Sequence, residues 1–395
     1  MPDQLQRRIG LGLLTAYGVG VMVGAGIYVL VGAVAGAAGV YAPVAFLCAG
    51  LIAAPSALSY AELSTRIPEA AGEAAYVDQG LKLHWLSVLI GLAIVLAGTI
   101  SAAAVLRGGT GYLTSVVDLP FNWVVIGLGV VLIGVALMGA LESLSVAAIF
   151  TVVELAGLGL VIWAGSNATP VEAWVAPPPI IWSGVGLAAV LAFFAFIGFE
   201  DIVNMAEEVA HPERNLPRAI LLSLIITSLI YAGVSLAAVR AVPAEQLAGS
   251  DRPLALVWEV GSGKSSQFLS LIAVAAALNG VLAQIVMAAR VLFGLGKREK
   301  RLAMFHHAHP TLGTPVKATV LVGAAVIAAA LALPVAALAE VTSSVLLAVF
   351  AVVNLSLIAL KRKAPFAPFR VPTFVPYFGL FASLAALALT LAESA

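Results

Sequence analysis

The stretch IWSGVGLAAVLAFFAFIGFEDIVNMAEE, residues 181–208, holds the reading on which the fold turns. Its first half is apolar sequence of the kind that crosses a bilayer, for which about 20 such residues are needed. Its second half sets Gly198 among bulky neighbours, Phe196-Ile197-Gly198-Phe199, and then two adjacent acids, Glu200 and Asp201. Glycine lowers helix stability by about 1 kcal/mol relative to alanine, and a carboxylate facing lipid at mid-membrane costs about 2.5–3.5 kcal/mol. A continuous, lipid-facing helix is a poor solution for such a stretch. A helix that breaks beside a protein-lined cavity is a better one, because the acids and the freed backbone groups then have partners other than lipid.

The remainder of the chain fits that setting. Of 395 residues, 20 are Lys or Arg and 20 are Asp or Glu, so 10% are charged and 62% are hydrophobic. An ordinary soluble domain carries about 25% charged residues. With a mean hydropathy of +1.08, the chain lacks the charge to cover a water-facing surface. A soluble enzyme, a nucleic-acid binder and a disordered chain are thereby excluded, and the bilayer is the protein's solvent. A single cysteine, Cys48, excludes an internal disulfide and a thiolate metal cluster.

Runs long enough to span fall near residues 10–34, 40–65, 83–116, 122–140, 144–166, 181–208, 217–240, 265–297, 316–333, 336–360 and 373–393, eleven in all. They show no sustained period-two alternation, so a barrel is excluded. The fold class is all-α integral membrane. The first run follows Arg7 and Arg8 but is too long for a cleaved signal peptide. The longest connections, about 241–264 and 298–315, leave no room for a soluble domain. Residues 1–395 therefore read as one transmembrane domain.

Basic residues set the orientation. With the N-terminus inside, the cytoplasmic side receives Arg7, Arg8, Arg66, Lys82, Arg214, Arg218, Lys297, Arg298, Lys300, Arg301, Lys317, Lys361, Arg362, Lys363 and Arg370. The outer side receives Arg107, Arg240, Arg252 and Lys264, and Arg290 falls inside a span. Fifteen against four is a strong positive-inside bias. Eleven spans then put the C-terminus on the extracellular or periplasmic side of a cell inner or plasma membrane.

Three acids stand out inside the spans: Glu154 in the fifth, and Glu200 and Asp201 in the sixth. Facing lipid, the three would cost roughly 8–10 kcal/mol. They must face a cavity, a partner or water. The plainer alternative for each is a buried, hydrogen-bonded acid that only fixes helix packing.

The first span carries Gly18-Val19-Gly20 and then Gly24-Ala25-Gly26-Ile27. An opened turn there would expose backbone N–H groups and a positive dipole end, which attract a carboxylate. The same spacing also makes a small-residue packing face. The break at Gly198 tips the balance, since interrupted segments at corresponding positions mark an inverted-repeat transporter. Residues 10–166 would form one repeat and 181–360 the other, with helices 1 and 6 discontinuous. The helix at 373–393 lies outside this 5+5 pattern.

At these residues the chain resembles the amino acid–polyamine–organocation transporter superfamily. Gly24-Ala25-Gly26-Ile27 resembles its first-helix substrate motif. Phe196-Ile197-Gly198-Phe199-Glu200, Glu207-Glu208-Val209 and Pro212-Glu213-Arg214-Asn215-Leu216-Pro217-Arg218 resemble its sixth helix and the loop that follows. Arg290-Val291-Leu292 and Gly313-Thr314-Pro315 resemble its eighth helix and next loop. The resemblance implies that Gly24, Ala25, Gly26 and Ile27 contact a substrate carboxylate, and that Phe196, Ile197 and Phe199 line the amine end. Glu200 falls where polyamine and basic-amino-acid members carry an acid, with Asp201 beside it. Phe193 or Phe194 would act as an aromatic lid. Separately, Glu207 and Glu208 with Arg214 and Arg218 read as an inner gate of weak, exposed ion pairs rather than a catalytic pair.

One departure bears on coupling. Many members carry a lysine in the fifth helix where Thr151-Val152-Val153-Glu154 stands here. Glu154 reverses that charge, and a buried carboxyl can carry a proton or bind a cation directly. The expected function is secondary active transport of amino acids by alternating access, coupled to protons rather than sodium. The alternative is transport or exchange of cationic amines, polyamines or basic amino acids, with a channel or sensor behind it. An enzyme is disfavoured, because no histidine lies deep within a span (His84 is the second residue of its run) and no His-Glu-x-x-His motif occurs. No cofactor, metal or nucleic acid is expected, and the protein would act as a monomer or homodimer.

Other signals are weaker. Gly261-Ser262-Gly263-Lys264-Ser265 lacks the first glycine of a phosphate loop, since Trp258 stands there. His306, His307 and His309 sit in a basic loop and read as solvated. Asn167-Ala168-Thr169 is a formal glycosylation sequon on the outer side.

Overall fold

The computed structural model describes residues 7–69, 72–114, 117–138, 140–250 and 252–393. Within them the protein is helical, and the only β feature is a single parallel bridge between Ile9 and Val209. The long helices are α1 (Leu11–Ala38), α2 (Ala42–Arg66), α4 (His84–Thr114), α5 (Phe121–Met138) and α6 (Ala140–Asn167), with the short α3 (Gly72–Leu81) and α7 (Glu172–Val175) between them. Then follow α8 (Trp182–Phe193), α9 (Pro212–Ala241), the short α10 (Ala244–Ala248) and α11 (Pro253–Ser262), α12 (Gln267–Arg298), α13 (Val316–Ala332), α14 (Val335–Lys363) and α15 (Phe374–Glu393). Proline sets several of these starts: Pro43, Pro212 and Pro253 sit in first turns, where a missing N–H costs nothing.

Among the described residues, eight apolar stretches are long enough to cross a bilayer. Shorter apolar helices at α8, α13 and α15 account for the remaining predicted runs. Each predicted run therefore holds an apolar helix. The connections are less empty than the sequence suggests, since 66–82 contains α3 and 241–264 contains α10 and α11.

α1 and α12 form the centre. α1 packs on α6, α8, α9 and α12, while α12 packs on α4, α6 and α13 and is buried along most of its length. α15 lies outside, against α14 and α2. Large apolar side chains such as Leu51, Val131, Val152 and Leu229 are exposed on the outer faces, as expected where lipid tails replace water. Contacts also sort the loops into two sets. At one end Arg66 donates to Ala364 O, Lys363 to Gly80 O, and Arg8 N to Glu208 O. At the other, Arg240 donates to the carbonyls of Gly165 and Ala168, Arg107 to Ala330 O, and Tyr41 to Pro178 O.

The sixth segment is broken and the first is not. α8 ends at Phe193, a 3-10 turn follows at Phe194–Phe196, Gly198 takes φ +126°, and a second 3-10 stretch runs Glu200–Met205. α1 instead runs unbroken from Leu11 to Ala38, which corrects the expectation of a discontinuous first helix. The reason lies in its neighbours. A Cβ on Gly18 would strike Ile202 and Ser223, and one on Gly20 would strike Thr151 and Asn279. These glycines let other helices approach closely, and that packing holds the backbone helical.

Candidate functional site

The candidate site lies where α1, the broken sixth segment, α6 and α12 meet. Gly198 packs directly on α1, so that a Cβ there would lie 2.8 Å from Val21 Cγ1 and 3.3 Å from Met22 N. Tyr231 of α9 ties the two together. Its buried hydroxyl lies 2.9 Å from Ala195 O and within hydrogen-bonding distance of Met22 O. The break is thus anchored to mid-α1 by a glycine contact and a phenol.

Glu200 and Asp201 are both buried, at 1% and 2% exposure. Gly198 N donates to Glu200 Oε2 at 2.8 Å, so the Glu200 side chain folds back to cap its own turn. Asp201 N donates to Gly198 O at 3.2 Å, and Asp201 Oδ2 accepts from Gln284 Nε2 of α12. Glu154, fully buried on α6, accepts from Asn279 Nδ2 of α12 at 3.3 Å, while its Oε1 has no partner. Asn279 also donates to Thr151 Oγ1 at 3.0 Å, and that hydroxyl lies 3.3 Å from Ala16 O of α1.

The remaining predicted residues are placed as follows. Phe196 is buried edge-on against Tyr231, with ring centroids 5.2 Å apart, and Phe199 packs against Tyr60 and Phe350. Ile197 is half-buried, while Ile27 and Phe193 are buried. Gly26 faces Ala195, whose Cα lies 3.4 Å from the position of an added Cβ. The side chains of Gly24, Ala25 and Phe194 lie outside the described residues. The unbroken α1 keeps the backbone of Gly24–Ile27 in the helical ladder rather than in an opened turn.

The expected gate at Glu207–Glu208 needs a correction. Glu208 pairs with Arg290 of α12 at 2.9 Å, with the two side chains 1% and 0% exposed. This is a buried ion pair rather than an exposed one. Losing one partner of such a pair strands a charge, at a cost of about 3–5 kcal/mol. The Glu208 carbonyl also accepts from Arg8 N and Ile9 N, and Ala210 N donates to Ile9 O. Residues 8–9 are thereby strapped across the end of the sixth segment. At the opposite end a shallow cleft opens between Tyr28, Tyr112, Arg252, Leu254, Leu269 and Ser270.

Sequence reasoning missed several polar residues. Asn279 and Gln284 interrupt an otherwise apolar run, a signal that was present, while Arg290 stood out inside its span without its partner being evident. Glu73 and Glu62 lay next to presumed loops. Glu62 is buried and accepts from Arg66, Lys361 and Val371 N, at 2.6, 2.7 and 2.8 Å. Glu73 is buried and accepts from Asn204 Nδ2 at 3.3 Å. The acids thus divide into two sets. Glu62 and Glu208 meet cations, whereas Glu73, Glu154, Glu200 and Asp201 meet neutral amides.

The other motifs do structural work. Gly261-Ser262-Gly263 ends α11, with Gly263 at φ +66° in the cap. His306 stacks on Phe293 at 4.4 Å, and His309 Nδ1 lies 3.0 Å from Thr311 Oγ1.

A family model described as amino acid permease matches residues 9–394. The vacuolar cationic amino acid transporter 4 of Arabidopsis thaliana is 31% identical over 392 residues, covering 92% of this chain and 65% of its own length. The branched-chain amino acid permease of Bacillus subtilis (strain 168) is 28% identical, covering 92% and 83%. The methylthioribose transporter of the same organism is 28% identical, covering 84% and 76%. The chain thus spans less than two-thirds of the length of the Arabidopsis relative.

Proposed function

The chain belongs to the amino acid permease family, and from that premise we propose that it is a secondary active transporter of amino acids, working by alternating access and coupled to protons. Relatives named as transporters and permeases support transport rather than catalysis. The reading places the chain in a cell inner or plasma membrane, N-terminus cytoplasmic, with residues 10–166 and 181–360 as inverted repeats. The substrate would bind where Gly26 and Ile27 face the sixth-segment break, with Ile197 and the Glu200–Asp201 turn at its other end.

The observation that carries proton coupling is Glu154. It is a fully buried carboxyl held by one amide at 3.3 Å, with its second oxygen unpartnered. An ionised carboxylate so placed would be costly, whereas a neutral one is not. A bound proton satisfies the site. Movement of α1 against α6 would open it, because Asn279 holds both Glu154 and Thr151, and Thr151 in turn donates to Ala16 O of α1. The test is uptake into proteoliposomes for a panel of amino acids and amines under separate pH and sodium gradients. Accumulation should follow the pH gradient and be lost in Glu154→Gln. Full gradient-driven accumulation by that variant would refute the role.

A second reading makes the substrate cationic. Among the described residues Glu200 and Asp201 meet no counter-cation of the protein's own, and one relative is named a cationic amino acid transporter. Uptake of arginine, lysine or putrescine ahead of leucine and alanine would support it. Strong leucine uptake that cations do not compete with would exclude it.

A further inference from the structure

We propose that Glu73 is a second proton-binding site of this transporter, set at the end of the molecule strapped by residues 8–9, and that it exchanges protons with Glu200 and Asp201 as that end opens. The proposal rests on the proton-coupled reading above and adds a site to it.

Glu73 sits in the first turn of α3, the short helix outside the spans, yet its side chain is fully buried. Its Oε1 accepts from Asn204 Nδ2 of the sixth segment at 3.3 Å, and its Oε2 has no partner. Asn204 returns a contact, since its Oδ1 accepts from Gly72 N at 3.0 Å. One amide therefore latches the start of α3 to the 3-10 stretch that carries Glu200 and Asp201. Around this latch lie two more buried polar atoms without partners, the hydroxyls of Tyr60 on α2 and Tyr76 on α3. Glu73 is near enough to feel the charge of Glu200, and Asp201 that of Glu73.

Among the described residues no cation pairs with Glu73. The basic groups on the neighbouring elements are engaged elsewhere: Lys363 with Gly80 O, Arg298 with Glu69 and Asp78, and Lys361 and Arg66 with Glu62. α4 contributes Ser87, whose hydroxyl donates to Ala74 O, and His84, whose ring lies 3.8 Å from Asp78 and 3.7 Å from Glu299. Burial accordingly pushes the Glu73 carboxyl up to about 8, with the charge of Glu200 a lesser cause in the same direction. Any opening that wets α3 removes that desolvation and lets the proton leave the carboxyl oxygen to water. When that end closes and the carboxyl is reburied, a proton from Glu200 or Asp201 can take its place, the O–H bond of that acid breaking as the Glu73 O–H bond forms.

The test uses the full chain in lipid nanodiscs without added substrate, titrated while infrared difference spectra follow the protonated-carboxyl stretch. A band titrating near pH 8 in the wild type and missing in Glu73→Gln is the expected result. The same band persisting in that variant would overturn the proposal. Should Glu73→Gln fail to fold, Glu73→Asp should move the midpoint, and an unmoved midpoint would overturn it equally. A transport arm separates this claim from the one beneath it. Wild-type substrate exchange at equal pH on both faces should change as pH passes 8, and Glu73→Gln should flatten that step. Wild-type accumulation that ignores the pH gradient would refute proton coupling itself. Gradient-driven accumulation with an unaltered step in Glu73→Gln would refute only the assignment of Glu73.

Discussion

Gly198→Ala is the sharpest probe of how the sixth segment is held. At φ +126° Gly198 occupies backbone space that side-chain-bearing residues rarely adopt, and forcing alanine there costs about 1–3 kcal/mol. The added methyl would also lie 2.8 Å from Val21 Cγ1 and 3.3 Å from Met22 N. Val21 Cγ1 can turn away, but the α1 backbone cannot, so overpacking adds about 1–3 kcal/mol. The sum is about 2–6 kcal/mol. Gly26→Ala supplies the internal control, because its methyl would meet Ala195 Cα at an ordinary 3.4 Å within a continuous helix. Alanine is also the better helix former, by about 1 kcal/mol. Denaturant or thermal unfolding in one detergent should show Gly198→Ala strongly destabilised and Gly26→Ala unchanged or slightly stabilised. Equal effects from the two substitutions, or a Gly198→Ala variant as stable as the wild type, would refute this account of the break and its seat on α1.

Three further outcomes follow from the same contacts. Tyr231→Phe removes the hydroxyl shared by Met22 O and Ala195 O, and should cost about 1–3 kcal/mol by leaving a buried carbonyl unmet; unfolding measurements check it. Arg290→Met strands Glu208 and should cost about 3–5 kcal/mol, whereas adding Glu208→Gln to it should recover a large part; a double variant no better than the single would count against the buried pair. Glu73 should impose a pH dependence on stability. Its folded value of about 8 lies above the ordinary 4.5, so the folded state holds a proton that the unfolded state releases. The penalty is absent below pH 4.5, grows as pH rises, and is complete above 8, reaching on the order of 5 kcal/mol. Glu73→Gln should lose that decline, as unfolding curves at pH 5 and pH 8.5 would reveal.

What could be read from the sequence was local. Run length marks the apolar helices because bilayer thickness fixes it, and Gly198 beside two acids marks the sixth break because conflicting preferences sit within a few residues. The continuity of α1 was not legible, because a glycine permits a helix to open without deciding whether it does. Ile202, Ser223, Thr151 and Asn279 decide it by filling the space over Gly18 and Gly20, and they come from four other elements of the chain. The partners of the acids were hidden for the same reason. Asn279, Gln284 and Arg290 lie some 80 residues or more from Glu154, Asp201 and Glu208 in sequence. Glu73 was hidden differently: it looked like loop, and only the tucking of α3 against the sixth segment buries it.

Those three polar residues of α12 give the site its logic. One buried helix meets Glu154 through Asn279, Asp201 through Gln284 and Glu208 through Arg290. The first two are amide contacts, which suit a neutral carboxyl as well as an ionised one, because an amide can donate or accept. The third is a charged pair, which tolerates no change of protonation at Glu208 without stranding Arg290. The Arg290 end, where Ile9 bridges Val209, is therefore fixed by charge. Glu154 and Asp201 are held by bonds that survive gain or loss of a proton. Binding events at these two acids can bias the equilibrium only if they shift α1 or the sixth segment enough to loosen the end held by Arg290. Under the proposed alternating-access reading, the seating of Gly198 on Val21 and of Tyr231 on Met22 would carry such a shift.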